Sequence, residues 1–126
     1  MLWSVDFSSD IPIYRQLADQ IISFIAEKKL RPGDKLPSIR ELSGDLGINL
    51  HTVNKAYKLL ADDGFLVMTP SGVFVNASGI PAPDLAFYKK LDYELERMAA
   101  ICIARGVEKA ELIKRLDEQW SKKDIK

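Results

Sequence analysis

The chain has 126 residues, 47% of them hydrophobic, and its 18 basic and 18 acidic side chains cancel at neutral pH. That length fits one domain, or one small domain with an appendage, and the apolar share suffices for a packed core. A single cysteine, Cys102, excludes an internal disulfide and a cysteine-based metal cluster, and a single histidine, His51, argues against a histidine-rich zinc or catalytic site.

No window approaches the roughly 18 consecutive apolar residues of a membrane helix. The N-terminus also lacks the charged-then-apolar layout of a leader peptide. A cytoplasmic location without a membrane partner is therefore expected. The chain carries no glycine-rich phosphate loop and no Cys–His or His–carboxylate motif. It reads as a non-enzyme with no metal site and no cofactor.

In chain order, residues 2–7 (LWSVDF) form an apolar lead-in, a strand or an arm packed on the core, with Trp3 as a packing residue. Asp10 is a candidate cap for a first helix that has Pro12 near its first position and runs to about Lys29. Tyr14, Leu17, Ile21, Phe24 and Ile25 recur at helical spacing and mark its core face. Pro32-Gly33-Asp34 signals a turn, with Leu30 and Leu36 entering the core on either side.

Ser38 and Glu41 have the spacing of a capping box, and Ile39, Leu42 and Leu46 give the second helix an apolar stripe. Gly47 ends that helix and Asn49 can cap the next. Val53, Ala56, Tyr57 and Leu60 would be buried, which leaves Leu50, His51, Asn54, Lys55 and Lys58 facing outward. Two helices joined by a glycine turn, the second with a cationic outer face, match a helix-turn-helix DNA reader. Charge is the difficulty. Residues 1–79 hold eight basic against nine acidic side chains, a net of minus one, where nucleic-acid binders are usually basic. Between Asp45 and Asp62, however, no acidic residue occurs, and Asp62 and Asp63 are expected to sit away from His51, Lys55 and Lys58.

Gly64 should stop the third helix. The β-prone runs 65–68 and 73–75 then flank a short loop and predict a hairpin. Residues 77–83 (ASGIPAP) form a linker. Beyond it, Asp84 can cap a long helix reaching Arg105 and ended by Gly106, on which Tyr88, Leu91, Leu95, Met98 and Cys102 form a coiled-coil-like seam. A last helix, about Glu108 to Lys122, offers Leu112, Ile113, Leu116 and Trp120, and the tail KKDIK reads as frayed. Two such helices cannot bury their apolar faces alone, so a partner is implied.

The segments PIYRQLADQI, LRPGDKLPSIREL, INLHTVNKAYKLLADDGFL and SGVFV together resemble the winged-helix domain of GntR-type bacterial transcription regulators, over roughly Asp10 to Asn76. PGDKLPSIR, the TV–AY–L–GFL spacing and the GVFV ending carry the likeness. The short remainder resembles the YtrA-like subfamily, whose members add only a few helices for dimerisation. The resemblance implies a mainly α fold with a small β-hairpin wing. Residues 10–78 would be the winged helix-turn-helix DNA-binding domain and 79–126 a two-helix dimerisation segment.

It also implies a DNA-contacting set: Ser38, Arg40, Asn49, Leu50, His51, Thr52, Asn54, Lys55, Lys58, Ser71 and Gly72. Arg40 would face a backbone phosphate. Thr52 matches a family threonine that contacts the duplex. Asn49 serves as cap and phosphate ligand, while His51 and Asn54 are the candidates for base edges, since asparagine pairs with adenine in the major groove. Lys55 and Lys58 would meet phosphates. Leu50 reads either as a thymine-methyl contact or as a merely exposed side chain. Many relatives have arginines where Leu50 and Asn54 stand, and basic residues at the wing tip. This chain has Pro70 and Ser71 before the retained Gly72, so its wing reads as uncharged, with contact through backbone N–H groups or the Ser71 hydroxyl. The dimer interface is expected at Tyr88, Leu91, Leu95, Met98, Cys102, Leu112, Leu116 and Trp120.

The functional expectation is a sequence-specific transcription regulator, a repressor, acting as a homodimer on a two-fold symmetric double-stranded operator. The roughly fifty residues after the reader are too few for an ordinary enclosed effector pocket, and the small-molecule effector is unknown. The rival class is a winged-helix protein-interaction module with a coiled-coil assembly segment, which the neutral charge would suit.

Overall fold

Leu17, Ala18, Ile21 and Phe24 are buried along one side of α1 (Ile13–Ala26) in the computed structural model, which describes residues 1–124. Two further helices follow, α2 (Ile39–Leu46) and α3 (Leu50–Asp62), then the antiparallel hairpin of β1 (Leu66–Thr69) and β2 (Gly72–Val75). The remaining elements are α4 (Leu85–Arg105) and α5 (Lys109–Lys123). The chain divides into two units, Met1–Pro81 and Ala82–Lys126.

The first unit encloses one core. Leu17 and Ile21 of α1, Leu42 of α2, and Val53, Tyr57 and Leu60 of α3 meet Leu66 and Val75 of the hairpin. Each fully buried Leu or Ile contributes about 2 kcal/mol of transfer free energy. Leu30 and Leu36 close the core from the intervening loop, as their spacing implied. Helix α3 is the hub, packing against α1, α2 and β1. On β2 the alternation is strict: Val73 and Val75 face the core while Gly72 and Phe74 face out.

The ends of α1 depart from the sequence reading. Pro12, not Asp10, is the cap residue, and its carbonyl accepts from the N–H groups of Arg15 and Gln16. Asp10 lies exposed, two residues short of that position. The C-terminus comes at Ala26 rather than Lys29, because Lys28 turns left-handed with φ 61°. The Lys28 N–H then reaches the Ile25 carbonyl, and the Lys29 N–H that of Phe24. This is a Schellman closure made without glycine.

Residues 1–6 form an arm rather than a strand. The side-chain amide of Gln20 donates to the Ser4 carbonyl and accepts from the Ser4 N–H, and Gln16 does the same with Asp6. Gln16 and Gln20 are one helical turn apart, Ser4 and Asp6 two residues apart, so the spacings match. Trp3 meets the Phe24 ring edge to face, with centroids 5.1 Å apart, and is a packing residue as expected.

The capping box of α2 is present, with Ser38 Oγ accepting from the Glu41 N–H at 3.0 Å. Gly47 ends α2 at φ 67°, where a Cβ would be strained. Asn49 caps α3 through the His51 N–H. Beyond these local signals, the loop after α1 pairs with the hairpin. The Leu36 N–H donates to the Val73 carbonyl, the Val75 N–H to the Asp34 carbonyl and the Gly33 N–H to the Val75 carbonyl. Lys35 bridges to Phe74, so residues 33–36 flank β2 on the side away from β1.

In the second unit, Asp84 accepts from the Phe87 N–H and Gly106 ends α4 in a left-handed conformation. Neither α4 nor α5 buries a single residue. The exposed Glu111–Arg115 pair on α5 is worth about 0.3 kcal/mol, far too little to hold a 15-residue helix. Lys122 and Lys123 are helical rather than frayed; Ile125 and Lys126 lie outside the described residues. Among the described residues, no helix is long and apolar enough to cross a membrane.

Tyr57 supplies a test of the first unit. Its ring is fully buried and its hydroxyl donates to the Pro37 carbonyl at 2.8 Å. Burial, and secondly the nearby Glu41 carboxylate, push the phenol well above its ordinary value. A phenol raised in the folded state stabilises fully below its unfolded pKa of about 10 and loses that contribution as pH rises further. Tyr57→Phe should therefore cost about 1 kcal/mol at pH 7 by urea denaturation, yet lose less than the wild type between pH 10 and 11. Equal alkaline losses in both proteins would place the titrating group elsewhere.

Candidate nucleic-acid interface

Helix α3 presents its outer side because its inner one is spoken for by Val53, Ala56, Tyr57 and Leu60. With 3.6 residues per turn, positions 51, 54, 55 and 58 then share the opposite side. His51, Asn54, Lys55 and Lys58 line one shallow depression there, together with Leu59 and Asp62. Asp62 is a correction. It was expected elsewhere, but α3 continues through it, and residue 62 follows Lys58 by one turn on the same face.

The other predicted contacts sit at the start of α3 or on neighbouring elements. At the start of α2, the Ser38 hydroxyl is engaged in the capping box. Arg40 is exposed and forms no ion pair among the described residues. The Asn49 side-chain oxygen is occupied by the His51 N–H at 2.8 Å, which leaves its amide hydrogens to donate outward. Leu50 is 39% exposed, and Thr52 is half-buried beside it.

Lys55 is not a free cation. Its ammonium lies 3.9 Å from the centroid of the Tyr14 ring, with the Arg15 guanidinium over the same ring at 5.7 Å. Such a contact contributes about 0.5–2 kcal/mol, depending on exposure. Tyr14 was expected in the core; it is half-buried because it stands in the first turn of α1, at the core's edge, where its ring underlies Lys55. Sequence spacing on α3 alone could not reveal this, since the two residues are 41 positions apart.

At the hairpin turn, the Ser71 and Thr69 hydroxyls share a hydrogen bond of 3.0 Å, and Thr69 also reaches the Gly72 carbonyl. Pro70 and Ser71 both keep negative φ, so the primed turns common in two-residue hairpins are ruled out, and Gly72 takes φ 145° instead. Gly72 also lies beside the Lys35 side chain. A Cβ there would come within 2.8 Å of the Lys35 Cε atom. The wing's own residues are uncharged, and the Lys35 ammonium from the preceding loop stands beside it. Lys35 is the residue the sequence reading missed. Its alternation with buried Leu36 shows it points outward, but only the bridge to Phe74 brings it to the turn.

The seam residues of the second unit are open in the single chain. Tyr88, Leu91, Leu95, Met98, Leu116 and Trp120 are exposed, Leu95 by 56% and Trp120 by 65%, while Cys102 and Leu112 are half-buried.

Residues 13–75 match the family model for bacterial regulatory proteins of the gntR family. The chain belongs to the GntR family. It is 42% identical over 62 residues to the HTH-type transcriptional repressor YtrA of Bacillus subtilis, covering 49% of this chain and 48% of the relative. Among solved structures, YtrA from Sulfolobus acidocaldarius, a GntR-family transcription factor, is 45% identical with a TM-score of 0.63, over 76% of this chain and 95% of that one. These likenesses put the chain in the YtrA-like subfamily. A transcriptional antiterminator from Listeria monocytogenes EGD-e shares the fold over 100% of this chain and 95% of its own, with a TM-score of 0.91 and 24% identity. The AraR DNA-binding domain, solved in complex with operator ORX1, is 32% identical with a TM-score of 0.53, over 59% of this chain and 95% of that one. The matched segment spans between 15% and 48% of the curated relatives' own lengths.

The Tyr14 contact of this GntR-family protein has a direct readout. The Lys55 ε-methylene protons should be shifted upfield by the ring in the NMR spectrum and return to ordinary lysine positions in Tyr14→Leu. Ordinary positions already in the wild type would mean that the contact is unpopulated in solution.

Proposed function

We propose that this protein is a cytoplasmic, sequence-specific DNA-binding transcription regulator, a repressor, that acts as a homodimer on a two-fold symmetric operator. The observation that carries the reading is the outer face of α3. His51, Asn54, Lys55 and Lys58 stand together on a helix whose buried face and capped N-terminus leave it no rotational freedom. Asn54 and His51 are the base readers in this account, and Lys58 and Arg40 the phosphate contacts. Lys55 reaches a phosphate while resting on Tyr14. The repressor role follows the likeness to YtrA, and operator binding the likeness to the AraR domain.

Pairing is proposed through α4 and α5. Of their apolar rows, Tyr88, Leu91, Leu95, Met98 and Cys102 on one helix and Leu112, Leu116 and Trp120 on the other, none is fully buried and all but Cys102 and Leu112 are exposed. A second copy would bury them. Pairing also answers the charge problem, because two weak near-neutral readers held together gain by effective concentration.

The test is a gel shift with DNA from upstream of the protein's own gene, at several salt concentrations. A specific, salt-dependent shift at nanomolar protein supports the regulator. No shift even at low salt would favour a docking module instead.

Two sets of variants refine this. Asn54→Ala should weaken the specific site more than random DNA, by roughly 1–3 kcal/mol for a bidentate contact. Lys58→Ala should weaken both alike and flatten the salt slope by about one unit. Equal losses on both DNAs for Asn54→Ala would remove it from the base-reading set. Leu95→Glu puts a carboxylate in the middle of the seam, at a cost of several kcal/mol when buried unpaired. It should sediment as a monomer with a folded winged unit and lose far more operator affinity than any single contact supplies. A Leu95→Glu protein that stays dimeric and binds tightly would overturn the interface.

A further inference from the structure

We infer that Lys35, from the loop between α1 and α2, is the cation of the wing and contacts a backbone phosphate beside the hairpin turn. The inference rests on the DNA-binding reading and adds a residue to it. Residues 65–75 contain no charged side chain. A wing so composed has only dipoles to offer an anionic duplex. The fold supplies a charge from a segment 37 positions before Gly72.

Three observations converge on this. Lys35 and Phe74 form an antiparallel bridge, and directly opposed residues of such a pair project on the same face. That face is the outer one, since Leu36, Val73 and Val75 occupy the core side. The Lys35 stem then runs towards the turn. Its Cε stands 2.8 Å, and its Nζ 3.6 Å, from where a Gly72 Cβ would lie, with the ammonium 6.0 Å from the Phe74 ring centroid. The lysine side chain therefore lies beside Gly72 and the hairpin turn.

The third observation is the lack of a competitor. Lys35 is exposed and makes no ion pair among the described residues. The neighbouring Asp34 carboxylate is occupied by the Arg31 N–H at 2.8 Å. An exposed cation without an ion pair among the described residues, next to the tip of the hairpin, fits a phosphate. A lysine acts there as a point charge, without base discrimination.

The experiment uses the full chain and a mixed-sequence 30-base-pair duplex, with affinity measured by fluorescence anisotropy across a range of sodium chloride concentrations. Lys35→Gln keeps most of the stem and removes the charge. It should bind several-fold more weakly, with a salt slope shallower by about one unit per subunit bound. Lys35→Arg should restore the slope, and Lys89→Ala, on α4, should leave it unchanged. Thermal melting of each variant separates charge from folding. A Lys35→Gln slope equal to the wild type's would overturn the inference while leaving the DNA-binding reading intact. A wild-type protein with no salt-dependent binding would overturn both.

Discussion

Tyr57 fixes how α3 is turned about its own axis. Its ring fills the middle of the core, and its hydroxyl is held by the Pro37 carbonyl. A helix rotated by even one residue, about 100°, would have to pull that ring out and leave a part-buried acceptor unpaired. The outward set of His51, Asn54, Lys55 and Lys58 is thus a consequence of what Tyr57 does inward. Pro37 also directly precedes the capping box of α2, and residues 33–36 before it are paired to β2. One short stretch, Gly33 to Ser38, therefore ties together α3, the start of α2 and the hairpin.

Much of this was legible because the signals are local. The Ser38–Glu41 box, Gly47, Asn49, Asp84 and Gly106 each act within a few residues of where they stand, and each occupies the position its chemistry implies. Core faces were legible too, since buried residues repeat at 3.6 on the helices and at 2 on β2. What stayed hidden is non-local or lacks a usual residue. Lys28 performs a turn normally given to glycine, so the end of α1 went unmarked. Gln16 and Gln20 bind the arm with side-chain amides that imitate a neighbouring strand, a role no propensity encodes. Lys35 at the wing and Tyr14 under Lys55 depend on pairings across 39 and 41 positions. For the same reason the shared outer face of His51, Asn54, Lys55 and Lys58 was legible from spacing, while the charges that other segments bring near it were not.

The two units pose different physical problems. The first closes a core with its own residues; the second fully buries no residue of its two helices. Exposed apolar surface of that extent is what the proposed pairing would cover. The near-neutral charge of the reader points the same way, because a weakly attracted monomer gains most from being paired. In the proposed dimer the second unit contributes no base contact, yet it decides whether the readers act at all. Within α5, the Glu111–Arg115 pair adds only a little helix stability.

The most direct measurement of the central claim is selection of bound sequences from a pool of duplexes randomised over about 30 base pairs. If two copies of α3 read DNA together, the enriched sequences form an inverted repeat whose half-site centres lie about one helical turn apart, or a multiple of it. Enrichment of an unpaired half-site, or no enrichment over the starting pool, would contradict the account.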